Sequence, residues 1–161
     1  MTPLHASAYH GHFDIFSLLV DHFPNLDIRG YWDQSPLHRT SYGGHLEIGK
    51  RLLDRGADID AREVDGWTPL YIAALNGQLE FARMLLERGA AIHTPSHVGE
   101  TPLHVASQYG QVQVAQLLME RGADLYVRDH HGRTPSEVAS IYGKRDIVRL
   151  LSEYLAKPEK E

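Results

Sequence analysis

The sequence predicts an all-helical solenoid: short helix–turn–helix units stacked in line. Three observations carry that prediction. The tetrapeptide TPLH at Thr2–His5 returns as SPLH at Ser35–His38, TPLY at Thr68–Tyr71, TPLH at Thr101–His104 and TPSE at Thr134–Glu137, always 33 residues apart. A fixed period of this size is the signature of a repeat architecture. A glycine stands nine residues after each opening Thr or Ser, at Gly11, Gly44, Gly77, Gly110 and Gly143, and a leucine holds one later place, at Leu19, Leu52, Leu85, Leu118 and Leu151.

The elements of one unit follow from residues 66–94, GWTPLYIAALNGQLEFARMLLERGAAIHT. Thr68 is an N-cap, whose side-chain oxygen accepts from an orphan amide of the first turn. Pro69 at N1 loses nothing by lacking an N–H. The spacing predicts a first helix over Pro69–Asn76, stopped at Gly77 in the left-handed region. A second helix over Gln78–Arg88 carries Leu79, Phe81, Ala82, Leu85 and Leu86 on one face at helical period. Gly89 ends it, and an extended stretch leads to the turn SHVGE. Pairs of small residues line the first helix in each unit (Ser7–Ala8, Thr40–Ser41, Ala73–Ala74, Ala106–Ser107, Ala139–Ser140), which lets neighbouring units approach closely. No unit can bury its own apolar face, so stacking supplies the core.

The opening T-P-L-H-x-A, the glycine stop and the closing LLDRGADID (52–60), LLERGAAIH (85–93) and LLMERGADLY (117–126) together resemble the ankyrin repeat over essentially the whole chain. The resemblance implies one domain over 1–161, with repeats at about 1–34, 35–67, 68–100, 101–133 and 134–156 and a polar tail at 157–161. It implies a short β-hairpin-like turn in each repeat, a curved array with a partner-binding concave surface, and no reaction. The drift between the closing motifs fits a natural array rather than a designed one.

Departures from the pattern are specific. The turn motif D-x-x-G is present at Asp129–Gly132 and as Glu63–Gly66, partial at Ser96–Gly99, and absent before Ser35, where Gly30 and Asp33 hold the two places. Gly49 inside a helix costs about 1 kcal/mol relative to Ala, so the second repeat is expected to be the softest interior one. Repeat 1 closes with DHFPNLD and is rich in Phe (Phe13, Phe16, Phe23). It opens at Met1 without a leading turn or polar cap, which raises the expectation of a longer parent array. Ser136, Glu137 and Ser152 replace apolar positions at the other end, and AKPEKE is a polar tail expected to fray.

Composition narrows the function classes. The 161 residues carry a net charge of −5, with acid gathered early at Asp14, Asp21, Asp27 and Asp33 against Arg29, which disfavours nucleic acid and anionic membranes. There is no cysteine, hence no disulfide framework and no thiolate zinc site. No membrane-length apolar run and no signal peptide are visible, so a cytoplasmic or nuclear address and no membrane insertion are expected; a monomer is expected as well.

Of 11 histidines, His5, His38 and His104 occupy the TPLH column, where the family uses the ring to hydrogen-bond between turns; Tyr71 in the same column shows that no ligand is needed there. His12 and His45 follow the helix-one glycine in a consensus place. His97, His130 and His131 fall at turn tips and read as solvated or partner-contacting rather than metal-binding. No HExxH, GxSxG or phosphate-loop motif occurs, and no enzyme activity, cofactor or metal is expected. Mixed charges on the second helices (Lys50, Arg51, Asp54, Arg55, Arg83, Glu87, Arg88) read as a solvated convex face.

The aromatic residues point elsewhere. The resemblance puts turn tips and helix-one ends on the concave side, and those places hold both tryptophans and five of the eight tyrosines. Trp and Tyr are enriched at interface hot spots. The expected partner-binding set is Tyr9, Tyr31, Trp32, Gln34, Tyr42, Trp67, Leu75, Asn76, Glu100, Gln108, Tyr109, His130, His131, Arg133 and Tyr142, with Trp32, Tyr42 and Trp67 as central anchors. The expected role is protein–protein recognition over about 800 Å² per side. The alternative is a regulatory or targeting segment of a larger enzyme, channel or signalling protein, making mainly intramolecular contacts.

Overall fold

The computed structural model describes residues 1–156; the polar tail expected at 157–161 lies outside them. Among the described residues there are ten α-helices and no strand, in five antiparallel pairs: α1 (Pro3–His10) with α2 (Phe13–Val20), α3 (Pro36–Gly43) with α4 (Leu46–Asp54), α5 (Pro69–Leu75) with α6 (Leu79–Glu87), α7 (Pro102–Tyr109) with α8 (Val112–Glu120), and α9 (Pro135–Ile141) with α10 (Arg145–Leu155). First helices pack on first helices and second helices on second helices, giving two layers. The expected helices Pro69–Asn76 and Gln78–Arg88 are α5 and α6, with Asn76, Gln78 and Arg88 as their caps.

Local chemistry sets these boundaries. The Thr68 hydroxyl accepts from the Tyr71 amide at 3.2 Å, and each TPLH histidine turns back to its own N-cap. In the last repeat Glu137 does this instead: the Thr134 N–H donates to Glu137 Oε2 at 2.7 Å, a reciprocal capping box. Gly44 and Gly110 end α3 and α7 with φ of +68° and +74°, where a side chain is strained.

The core runs unbroken between the layers through Leu4, Leu37, Leu70 and Leu103 of the first helices and Leu52, Leu85, Leu118 and Leu151 of the second. The small-residue column is buried where a following repeat covers it (Ala8, Ser41, Ala74, Ser107) and exposed at Ser140. At the opposite end Ile15 is 52% exposed, although Ile48, Phe81, Val114 and Ile147 in the same column are 0–1% exposed. Ile48 and its successors bury against the repeat before them.

Gly49 differs from expectation. It is buried, and a β-carbon there would meet Phe81 Cε2 at 2.5 Å. The helix-propensity cost is real, but the missing side chain makes room for Phe81 of the next repeat, so Gly49 alone gives no ground for a soft second repeat.

Single backbone hydrogen bonds tie the turns in register: Val64 N–H to the Trp32 carbonyl (3.0 Å), His97 N–H to Asp65 (2.8 Å) and His130 N–H to Val98 (3.0 Å). Each turn closes on itself in the same way, as in Gly30 N–H to Gln34 O at 2.8 Å and Glu63 N–H to Trp67 O at 3.1 Å. The departure before Ser35 has a structural outcome. Tyr31–Asp33 form a single 3-10 turn, and both Trp32 (φ +55°) and Asp33 (φ +61°) sit in the left-handed region. Gly66, Gly99 and Gly132 occupy the place of Asp33 in the later turns.

Candidate recognition surface

The turn tips and helix-one ends are held by a lattice that repeats with the sequence. His38 Nδ1 accepts from the Ser35 N–H at 3.2 Å, which makes it the bare nitrogen; Nε2–H then donates to the Trp67 carbonyl of the next turn at 3.1 Å. His5 reaches the Gln34 carbonyl (3.0 Å) and His104 the Arg133 carbonyl (2.9 Å) in the same way. Burial pushes all three histidines below their ordinary pKa, His38 to about 4. They are neutral struts. Tyr71 does the same work in its repeat by donating its hydroxyl to Glu100 Oε2 at 2.9 Å. Burial, then the Glu100 charge, raises the Tyr71 phenol far above its ordinary range.

A second set of struts fixes the helix-one ends. His45 Nε2 donates to the Tyr9 carbonyl (3.1 Å), Gln78 to the Tyr42 carbonyl (2.9 Å) and Gln111 to the Leu75 carbonyl (3.1 Å). Three expected site residues are thereby anchored by the following repeat. Sequence reasoning missed this. The signal was a polar residue directly after the helix-one glycine, recurring every 33 residues.

Around the first two repeats the expected residues converge. The Tyr9 and Tyr42 rings meet edge to face with centroids 6.3 Å apart. Gln34 Nε2 donates to the Tyr42 hydroxyl at 3.0 Å, and Arg39 donates to Gln34 Oε1 at 3.0 Å. The Arg39 guanidinium lies 4.4 Å from the Tyr9 centroid and 6.0 Å from that of Tyr42. Beside them Tyr31 and Trp32 project from their 3-10 turn, 67% and 68% exposed. Gln34 is a correction: it was expected to touch a partner, but it is 2% exposed and instead holds Tyr42 and Arg39 from behind. Arg39 was absent from the expected set, although a cation at a place held by Ala6, Ile72, Val105 and Val138 elsewhere was visible in the sequence.

A different grouping forms in the later repeats. Trp67 is half-buried, packs on the core and stacks on Tyr71 at 5.2 Å, so it is less free as an anchor than expected. Arg133 pairs with Asp129 at 2.6 Å and Glu100 at 3.7 Å. Burial opposes ionisation of Asp129, but hydrogen bonds from the Arg133 side chain and from the backbone of Arg133 and His131 outweigh it and lower its pKa. Glu100 and Arg133 thus already hold one another. His130 lies over Gly99. Leu75 packs against the core, and the Asn76 amide donates to the Ile72 carbonyl at 2.9 Å. Gln108 is half-buried; Tyr109, His131 and Tyr142 stand exposed along the remaining edge.

On the opposite side, the second-helix charges form a ladder between repeats: Arg55 with Asp21, Arg88 with Asp54 at 2.6 Å, and Arg121 with Glu87 at 3.4 Å. These pairs are exposed and each contributes little to stability. Among the described residues no three His, Asp or Glu side chains converge as a metal site needs, and no helix is long and apolar enough to cross a membrane.

Comparison with protein families agrees with this architecture. The family model described as ankyrin repeats matches three times, at residues 1–63, 30–96 and 91–161. A comparison with curated proteins finds no match.

Proposed function

We propose, from the premise that the chain belongs to the ankyrin-repeat family, that it is a non-catalytic recognition module that binds another protein through its turn tips and helix-one ends. Ankyrin repeats are in general protein-interaction modules, and the finer statement concerns which surface of this chain is used. One observation supports it: large aromatic side chains (Tyr9, Tyr31, Trp32, Tyr109, Tyr142) stand exposed at turn tips and helix-one ends, where struts from the following repeat hold the Tyr9 and Tyr42 carbonyls. A rigid aromatic surface binds with little loss of side-chain entropy. The partner-binding set is therefore Tyr9, Tyr31, Trp32 and Tyr42 at its centre, extended by Asn76, Gln108, Tyr109, His131 and Tyr142. The net charge of −5 argues against nucleic acid as the partner. An intracellular setting is part of this reading.

Capture from cell extract tests it. Wild type is run beside a Tyr31→Ala, Trp32→Ala, Tyr109→Ala variant, whose exposed residues can be removed without opening the core. A protein retained by wild type and lost by the variant is the expected result. Identical captured sets would remove the aromatic edge from consideration.

A further inference from the structure

Arg39 breaks the rule of its own column. The equivalent residues Ile72, Val105 and Val138 are buried apolar side chains. Arg39 puts a guanidinium in their place, half-buried against Tyr9. Its Nε is buried without a hydrogen-bond partner and is closed to an incoming group; of the terminal nitrogens, one donates to Gln34 and the other is 3.8 Å from Met1 Sδ, a weak acceptor. Among the described residues no carboxylate lies within ion-pair distance of Arg39. By contrast, Arg55, Arg88, Arg121 and Arg133 each have one. Glu63, which with Arg39 acts on Tyr42, is otherwise engaged: it accepts the Asp65 and Trp67 amides. A partly desolvated cation without a counter-charge is unfavourable. Such local violations occur where binding uses them.

We propose that Arg39 receives the carboxylate of an Asp or Glu side chain from the partner protein, with the apolar neighbours of that residue lying on the Tyr9 and Tyr42 rings. The proposal rests on the recognition role above and names its chemistry: an acidic, apolar-flanked protein segment. A carboxylate fits better than a phosphate group. Phosphate recognition gathers several cations, and here one guanidinium stands alone among tyrosines. A planar guanidinium already oriented by Gln34 and Tyr9 meets a carboxylate with little further ordering.

Selection from a displayed random-peptide library tests this, with the best peptide then titrated by fluorescence anisotropy. Peptides selected on wild type should share one Asp or Glu beside apolar residues and lose affinity on Trp32→Ala or Tyr42→Ala. Arg39→Ile, which restores the residue type of Ile72 and is used once circular dichroism and thermal unfolding match wild type, should weaken the acidic peptide about tenfold or more. It should leave the matched Asn or Gln peptide unchanged, and added salt should weaken only the acidic one. Peptides that depend on Trp32 and Tyr42 but show no acid preference, or keep it in Arg39→Ile, would overturn the carboxylate proposal alone. Tighter binding of a synthetic phosphoserine version of the selected peptide than of the acidic one would also overturn it. If no selected peptide weakens on Trp32→Ala or Tyr42→Ala, the recognition surface itself fails, and this proposal with it.

Discussion

The ring of Phe81 occupies the space over Gly49: a β-carbon on Gly49 would stand 2.5 Å from Phe81 Cε2 and 2.8 Å from its Cζ. Two effects of opposite sign follow for Gly49→Ala. Helix propensity favours alanine by about 1 kcal/mol. Overpacking a filled core costs about 1–3 kcal/mol, and Phe81, 1% exposed, has nowhere to move. The net cost of about 0–2 kcal/mol should lower Tm by up to roughly 8 °C in thermal unfolding. A raised Tm would mean that helix propensity governs the site.

Stability should depend on pH through the neutral histidine struts. His38 has a folded pKa of about 4 against an ordinary 6.5. Between these values the unfolded chain binds a proton that the folded chain does not. Stability is therefore full above pH 6.5 and is lost as pH falls toward 4. At pH 5 the loss from His38 alone is on the order of 2 kcal/mol, and the lowered pKa values of His5 and His104 act in the same direction. Urea midpoints measured at pH 7.5 and pH 5 should differ accordingly. Equal midpoints would show that the rings accept protons without leaving their carbonyl partners.

Much of this was legible in the sequence because the period aligns equivalent residues. The caps at Thr68 and Thr134, the helix-one stops and the leucine columns are read directly from the 33-residue spacing. What escaped lies between repeats. The Gly49–Phe81 fit joins residues 32 positions apart, and neither residue alone signals it. Gln34 read as an exposed tip residue because the resemblance puts its column at the turn tips; its side-chain amide is instead taken up by Tyr42 and Arg39. Arg39 was in plain view in its column but lay outside the places where aromatic residues were sought.

The same column should respond differently at the two ends of one interface. Ile48 is 1% exposed and Ile15 52% exposed. Ile48→Ala should cost about 2–4 kcal/mol, whereas Ile15→Ala should stay within about 0.5 kcal/mol. Denaturant unfolding of the two variants checks the pair. Equal losses would require Ile15 to be covered as Ile48 is.

The turn at Trp32 and Asp33 should trade stability against binding. Asp33 adopts φ +61°, at the place where later turns use glycine. Asp33→Gly relieves a left-handed residue and gives up only an exposed pair with Arg29. A gain of about 0.5 kcal/mol is expected. A more flexible turn presents Tyr31 and Trp32 less rigidly, so partner affinity should fall as Tm rises. Loss of both would show that the strained turn does not act by pre-organisation.

The most direct measurement is the equilibrium affinity of the captured partner for three forms of the chain: wild type, Tyr31→Ala with Trp32→Ala, and Lys50→Ala with Arg51→Ala on the second helix. Hot-spot aromatics typically contribute 2 kcal/mol or more, so the first variant should bind about tenfold weaker or worse. The helix-two variant should stay within about twofold of wild type. An unchanged affinity in the aromatic variant, or a loss confined to the Lys50 and Arg51 variant, would place recognition on the opposite face and contradict the account.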